Sequence, residues 1–143
     1  ASNAAWELLY PKGGTFFSHR PEVPQRSTLS VFHQLHCLDA IRQAYYTAYN
    51  AAMRGEKLDA DSIPEMAGEE HVKHCVELIR QSLTCMADRT IEMKNQEGGV
   101  TGFGTTHQCA DYEELVRRVE QWHRENGEDM EVESTHAHHQ HPH

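Results

Sequence analysis

Apolar residues recur at helical spacing in three stretches of this chain. Between residues 28 and 53, Leu38, Ile41, Tyr45 and Tyr49 fall on one face. That spacing predicts a long helix with those four side chains turned toward the core. His33, His36, Ala40 and Ala44 share another side, where small residues let a partner helix come close. Thr28 or Ser30 can cap the start.

A second long helix is predicted over 69–93. Its stripe of His71, His74, Leu78, Ser82 and Cys85 mirrors the His33, His36, Ala40 side of the first. A third is predicted over 111–126, with Tyr112, Leu115, Val116, Val119 and Trp122 on one face. Asp111 and Glu114 form a capping box at its start, and Gly127 suits its exit.

The connections are punctuated by Gly and Pro. Residues 1–27 predict an irregular arm over the helices, with Trp6, Leu8, Leu9, Phe16 and Phe17 in short extended pieces around a turn at Pro11–Gly14. In the 54–68 connection, Ser62-Ile63-Pro64-Glu65 fits a capping box opening a short helical turn. Four glycines mark 94–108 as a loop. The fold class is therefore mainly α: about three principal helices and an irregular N-terminal arm, with disulfides expected. Residues 1–127 read as a single domain and 128–143 as a disordered acidic and histidine-rich tail.

One pattern occurs twice. Residues 33–43 read HQLHCLDAIRQ and residues 71–81 read HVKHCVELIRQ, so His, His, Cys, Ile, Arg and Gln recur 38 positions apart. Two histidines three apart on a helix point to the same side. Two such helices facing each other would bring His33, His36, His71 and His74 to one point. Imidazole suits copper, zinc, iron and nickel, and first-row affinity peaks at copper. Four nitrogens and no carboxylate lean toward copper or zinc. The zinc-hydrolase pattern H-E-x-x-H is missing from the sequence.

A single histidine pair on an amphipathic helix is ordinarily a polar surface feature; it is the repetition that argues for metal. Cys37 and Cys75 follow the second histidine of each pair. As thiolates they would add sulfur ligands; joined to each other they would staple the helices. A Cys85–Cys109 bond would pin the loop and third helix onto the second. An even count of four cysteines is compatible with either picture. His107, in Thr106-His107-Gln108-Cys109, is the candidate catalytic histidine. His19 and His123 read as ordinary surface residues, and Tyr45, Tyr46 and Tyr49 as core tyrosines. Arg42 and Arg80 match in the repeat and suit ion pairs with Asp39, Glu77 or Asp88.

Composition removes several classes. With 22 acidic against 13 basic side chains, the formal charge is -9, so no basic stripe exists to neutralise nucleic-acid phosphates or anionic lipid. No apolar stretch approaches the ~20 residues a spanning helix needs. Residues 1–14 do not read as a signal peptide. Residues 136–143 hold five of the twelve histidines and resemble an affinity tag more than a built site.

The paired motifs His33-Gln34-Leu35-His36-Cys37 and His71-Val72-Lys73-His74-Cys75 resemble those of the UstYa-like proteins. So do Tyr10-Pro11-x-Gly13-Gly14, Cys85-x-x-Asp88 and His107-Gln108-Cys109-x-Asp111-Tyr112. The resemblance covers roughly residues 6 to 123. It implies copper-dependent oxidative tailoring in fungal secondary metabolism: cyclisation, hydroxylation or dehydrogenation of a peptide or small molecule by dioxygen. It also implies the secretory pathway, a compartment that permits disulfides. A homodimer fastened by the histidine clamp belongs to the non-catalytic alternative. The competing readings are a non-catalytic metal-binding or metal-stabilised interaction protein, and a metal-independent cyclase or dehydratase moving protons through histidine.

Overall fold

A computed structural model of the chain describes residues 3–17, 26–93 and 95–126. The predicted tail, Gly127 and His19 lie outside these. In chain order the elements are α1 (Asn3–Glu7), β1 (Phe16–Phe17), β2 (Ser27–Thr28), α2 (Ser30–Arg54) and α3 (Glu69–Cys85), followed by α4 (Tyr112–Asn126). Single 3-10 turns at Ala60–Ser62 and Glu65–Ala67 lie between α2 and α3. The mainly helical class and its three principal helices stand. The chain divides into two compact units, Ala1–Leu29 with Asp111–His143, and Ser30–Ala110.

In the first unit, α4 is the organising element. Asp111 caps it by accepting the Glu114 amide at 2.8 Å, as the capping box predicts. Val119 on its apolar face is buried, while Tyr112, Leu115, Val116 and Trp122 are half-buried. The N-terminal arm is tied to this helix by polar contacts. The Tyr112 hydroxyl donates to the Leu9 carbonyl. The Lys12 amide donates to Glu120 at 2.8 Å. Residues 3–7 are helical where extended pieces were expected. β1 and β2 pair antiparallel, Phe16 opposite Thr28 and Phe17 opposite Ser27.

His123 corrects the surface assignment. It is only 5% exposed, and its Nε2 sits 3.1 Å from the Gly14 carbonyl. A carbonyl only accepts, so Nε2 carries the proton and donates it. The neighbouring Gly13 has φ +95°, and a Cβ there would lie 3.1 Å from the His123 ring. Gly13→Ala therefore combines left-handed strain with a clash. The expected loss is about 1–3 kcal/mol, read as a lower denaturation midpoint. Gly14→Ala carries the strain without the clash and should lose less.

In the second unit, α2 and α3 pack through a buried cluster of Cys37, Ala40 and Cys75, flanked by Ile41, Leu78 and Ile79. Of the predicted core stripe only Ile41 packs here. Leu38, Tyr45 and Tyr49 are exposed, as is Tyr46. The reason is steric. A face of Cys and Ala lets two backbones come close, whereas a tyrosine face would hold them apart. The tyrosines pack on one another instead, with Tyr45–Tyr49 ring centroids 5.8 Å apart and Tyr45–Tyr46 5.2 Å apart.

Gly55 ends α2 at φ +66°, with the Gly55 amide bonded to the Ala52 carbonyl and the Glu56 amide to Ala51. That pair of bonds is the Schellman arrangement. α3 stops at Cys85, eight residues before its predicted end at 93. Beyond it the Asp88 carboxylate accepts both the amide and the hydroxyl of Thr90, at 2.8 and 2.6 Å. Such local side-chain bonds compete with continued helix. Ser62 spends its hydroxyl on the Asp59 carbonyl, so the predicted box does not form there; a 3-10 turn follows Pro64 instead. No helix among the described residues is long and apolar enough to cross a membrane.

Candidate metal centre

The repeat sets the geometry of the α2–α3 crossing. His33 lies against His74, with ring centroids 5.6 Å apart, and His36 lies against His71 at 5.9 Å. The first histidine of one motif thus meets the second of the other, which requires antiparallel helices. His71 and His74 close the group at 6.4 Å. All four predicted imidazoles therefore come together in one patch.

The tightest grouping is not the four histidines alone. His33, Cys37 and His74 place their ligand atoms within 4.8 Å of one another. His33 and Cys37 are four apart on α2 and so share a face. His74 reaches them across the crossing. In the sequence the sulfur was one of two alternatives, ligand or staple; the crossing puts it within ligand distance of both imidazoles. Cys37 is fully buried, His33 is half-buried and His74 is exposed, so the group has a dry base and an open edge.

Second contacts orient the rings. His71 Nδ1 is 2.8 Å from the Met66 carbonyl, so Nδ1 is the donor, and in the neutral ring Nε2 carries the lone pair. Metal-binding histidines are commonly held this way through the opposite nitrogen. The outer sides of the motifs match as well. Arg42 and Gln43 both bond Asp39 on α2, and Arg80 and Gln81 both bond Glu77 on α3. The repeated Arg-Gln pair thus has the same partner position in each helix.

Titration behaviour follows from these neighbours. His36 is held below the ordinary imidazole value, first by desolvation of its ring and then by the adjacent His71 and His33. The sign is direct. A folded value below the unfolded one means that the unfolded chain takes the proton first, so stability falls as pH drops through about 6.5. Urea midpoints of metal-free protein should fall between pH 7.5 and 5.5, and by less in His36→Gln.

The expected disulfides are not formed: all four cysteines are free thiols. Cys85 and Cys109 are both exposed. The Cys75 thiol is pushed up to about 12, by burial first and then by its hydrogen bond with Cys37. Thiolate is the reactive form. Brief alkylation of native protein should label Cys85 and Cys109, and label Cys37 and Cys75 only after unfolding, as read by peptide mass spectrometry.

His107 lies in the segment after α3, outside the three-ligand group. Its Nδ1 is 2.6 Å from Asp88 Oδ2. Asp88 was foreseen as an arginine partner; the structure gives it to His107 and Thr90. Its carboxyl is lowered to about 2, chiefly by the Thr90 hydroxyl and then by His107.

The family of the mycotoxin biosynthesis protein UstYa matches this chain over residues 14–126. The UstYa family oxidase phomYb of Diaporthe leptostromiformis is 36% identical over 130 residues, covering 80% of this chain and 47% of its own length. The oxidase ustYa of Aspergillus flavus is 36% identical over 99 residues, covering 67% of this chain and 41% of its own. The hydroxylase cctR of Talaromyces islandicus is 28% identical over 87 residues, 61% of this chain and 30% of its own. The chain thus spans about half or less of the length of these curated relatives. No solved structure matches it. Both histidine motifs fall inside the matched span, and this chain belongs to the UstYa family.

Proposed function

We propose that this protein is a copper-dependent oxidase that tailors a peptide or small-molecule intermediate of fungal natural-product biosynthesis, with dioxygen as oxidant. The observation that carries this is the α2–α3 crossing, which gathers His33, Cys37 and His74 within 4.8 Å. The donor set fits copper: two imidazoles with one thiol is a soft nitrogen and sulfur combination. His33 and His74 would hold the ion with Cys37, and His36 and His71 lie beside them as the remaining imidazoles. One shared ion is the arrangement proposed.

Copper bound there would supply one-electron redox chemistry. The chain's own residues do the rest. The buried Cys37–Ala40–Cys75 cluster fixes the helix spacing and keeps water from the base of the site. The Met66 carbonyl fixes the His71 tautomer. His107, with Nδ1 occupied, offers Nε2 as a proton acceptor for substrate. The exposed sides of His74 and His36 leave an approach for substrate, which favours turnover over a closed storage or structural site. In a net dehydrogenation the substrate loses two hydrogens and dioxygen becomes hydrogen peroxide.

The relatives named as oxidases and a hydroxylase support this reaction class. The test is a library of short synthetic peptides incubated with metal-loaded and metal-free protein in air. Mass spectrometry should find loss of two hydrogens or gain of one oxygen only with copper present. Equal turnover in a metal-free preparation would replace this reading with the metal-independent one.

A further inference from the structure

We propose that Asp88 is the positioning residue of His107: it fixes the imidazole as the Nδ1–H tautomer, so that Nε2 presents its lone pair to substrate. This rests on the reading of His107 as the catalytic histidine. The geometry begins with the 2.6 Å contact between His107 Nδ1 and Asp88 Oδ2. An ionised carboxylate can only accept, so a proton lies on Nδ1, and in the neutral imidazole Nε2 carries the lone pair. Asp88 is itself held in place. Thr90 donates to its other oxygen, Oδ1, from both amide and hydroxyl. One oxygen is therefore anchored to the backbone turn and the other is aimed at the histidine.

The arrangement is a carboxylate–imidazole dyad built on a segment outside the helical histidine patch. Its chemistry is that of an oriented base. When Nε2 takes a proton from a substrate O–H, N–H or acidic C–H, the electron pair of that bond stays on the substrate. The imidazolium that forms is then paired with the Asp88 carboxylate. The low carboxyl value keeps Asp88 ionised throughout this exchange, so the proton stays on the ring. Thr90 provides a second handle, because its hydroxyl can be removed without touching the dyad.

The direct test is nitrogen-15 NMR of the full chain in metal-free form. The His107 signals are assigned by their loss in His107→Gln. Wild type should show a protonated Nδ1 and an unprotonated Nε2. Asp88→Asn should shift the ring toward the Nε2–H form, and Thr90→Val should shift it part-way. With the peptide oxidised fastest in the library screen, Asp88→Asn should reduce kcat about 10- to 100-fold with KM unchanged. Asp88→Glu should restore part of that loss. Asp88 is exposed, so these variants are expected to fold, and circular dichroism checks it. An unchanged tautomer in Asp88→Asn, or unchanged kcat where His107→Gln is inactive, would overturn the positioning role. Full turnover in His107→Gln would instead remove the catalytic reading beneath it.

Discussion

His33→Ala and His74→Ala should each weaken copper binding by about 100-fold or more. Substitutions of groups that merely support a ligand typically cost 10- to 100-fold, and these two residues are the proposed ligands themselves. The loss should be larger than in His36→Ala, because His36 lies outside the 4.8 Å group. Isothermal titration of metal-free protein, with residues 128–143 removed to exclude their histidines, gives the ranking. Oxidation of the library peptides should fall in parallel. His107→Gln should separate the two readouts, keeping copper affinity while losing turnover by about 10²- to 10⁴-fold. Cys37→Ser should change the absorption of bound copper, since the sulfur-to-copper charge-transfer band needs the thiolate.

Phe32→Ala should be the most damaging core substitution. Phe32 is 1% exposed and directly precedes His33 on α2. Truncating a buried phenylalanine typically costs about 3–5 kcal/mol. Total stability of a domain is about 5–15 kcal/mol, so the variant should sit close to its unfolding midpoint at 37 °C. Urea titration monitored by circular dichroism measures the shift. Phe103, at 89% exposure, is the control. Phe103→Ala should move the midpoint by no more than about 0.5 kcal/mol. A large loss at Phe103 and none at Phe32 would reverse the assignment of the core.

The repeat made the helices and the histidine patch legible, because two matched motifs constrain each other. His33, His36, His71 and His74 could be placed together from spacing alone. Spacing said less about which face of α2 is buried. Hydrophobicity favoured Leu38, Tyr45 and Tyr49, but close approach of two helices is decided by side-chain size, and Cys37 and Ala40 won. The end of α3 was obscured for a similar reason. Residues 86–93 keep a helical composition, and only the Asp88–Thr90 bonds show why the backbone leaves the helix. The burial of His123 was invisible because it depends on the Gly13–Gly14 turn, more than 100 positions away. Cys37 was a candidate ligand from its motif, but its alliance with His33 and His74 over the four-histidine set needed the crossing itself. The thiol state of Cys85 and Cys109 could not be read from an even count of cysteines.

The most direct measurement is an anaerobic copper titration of the protein without residues 128–143, followed by absorption and electron paramagnetic resonance. Wild type should bind one ion per chain, with nitrogen splittings from imidazoles of both helices. His33→Ala on α2 and His74→Ala on α3 should each alter that spectrum and lower the stoichiometry. Identical stoichiometry and identical spectra in wild type and both variants would contradict a centre shared by the two helices.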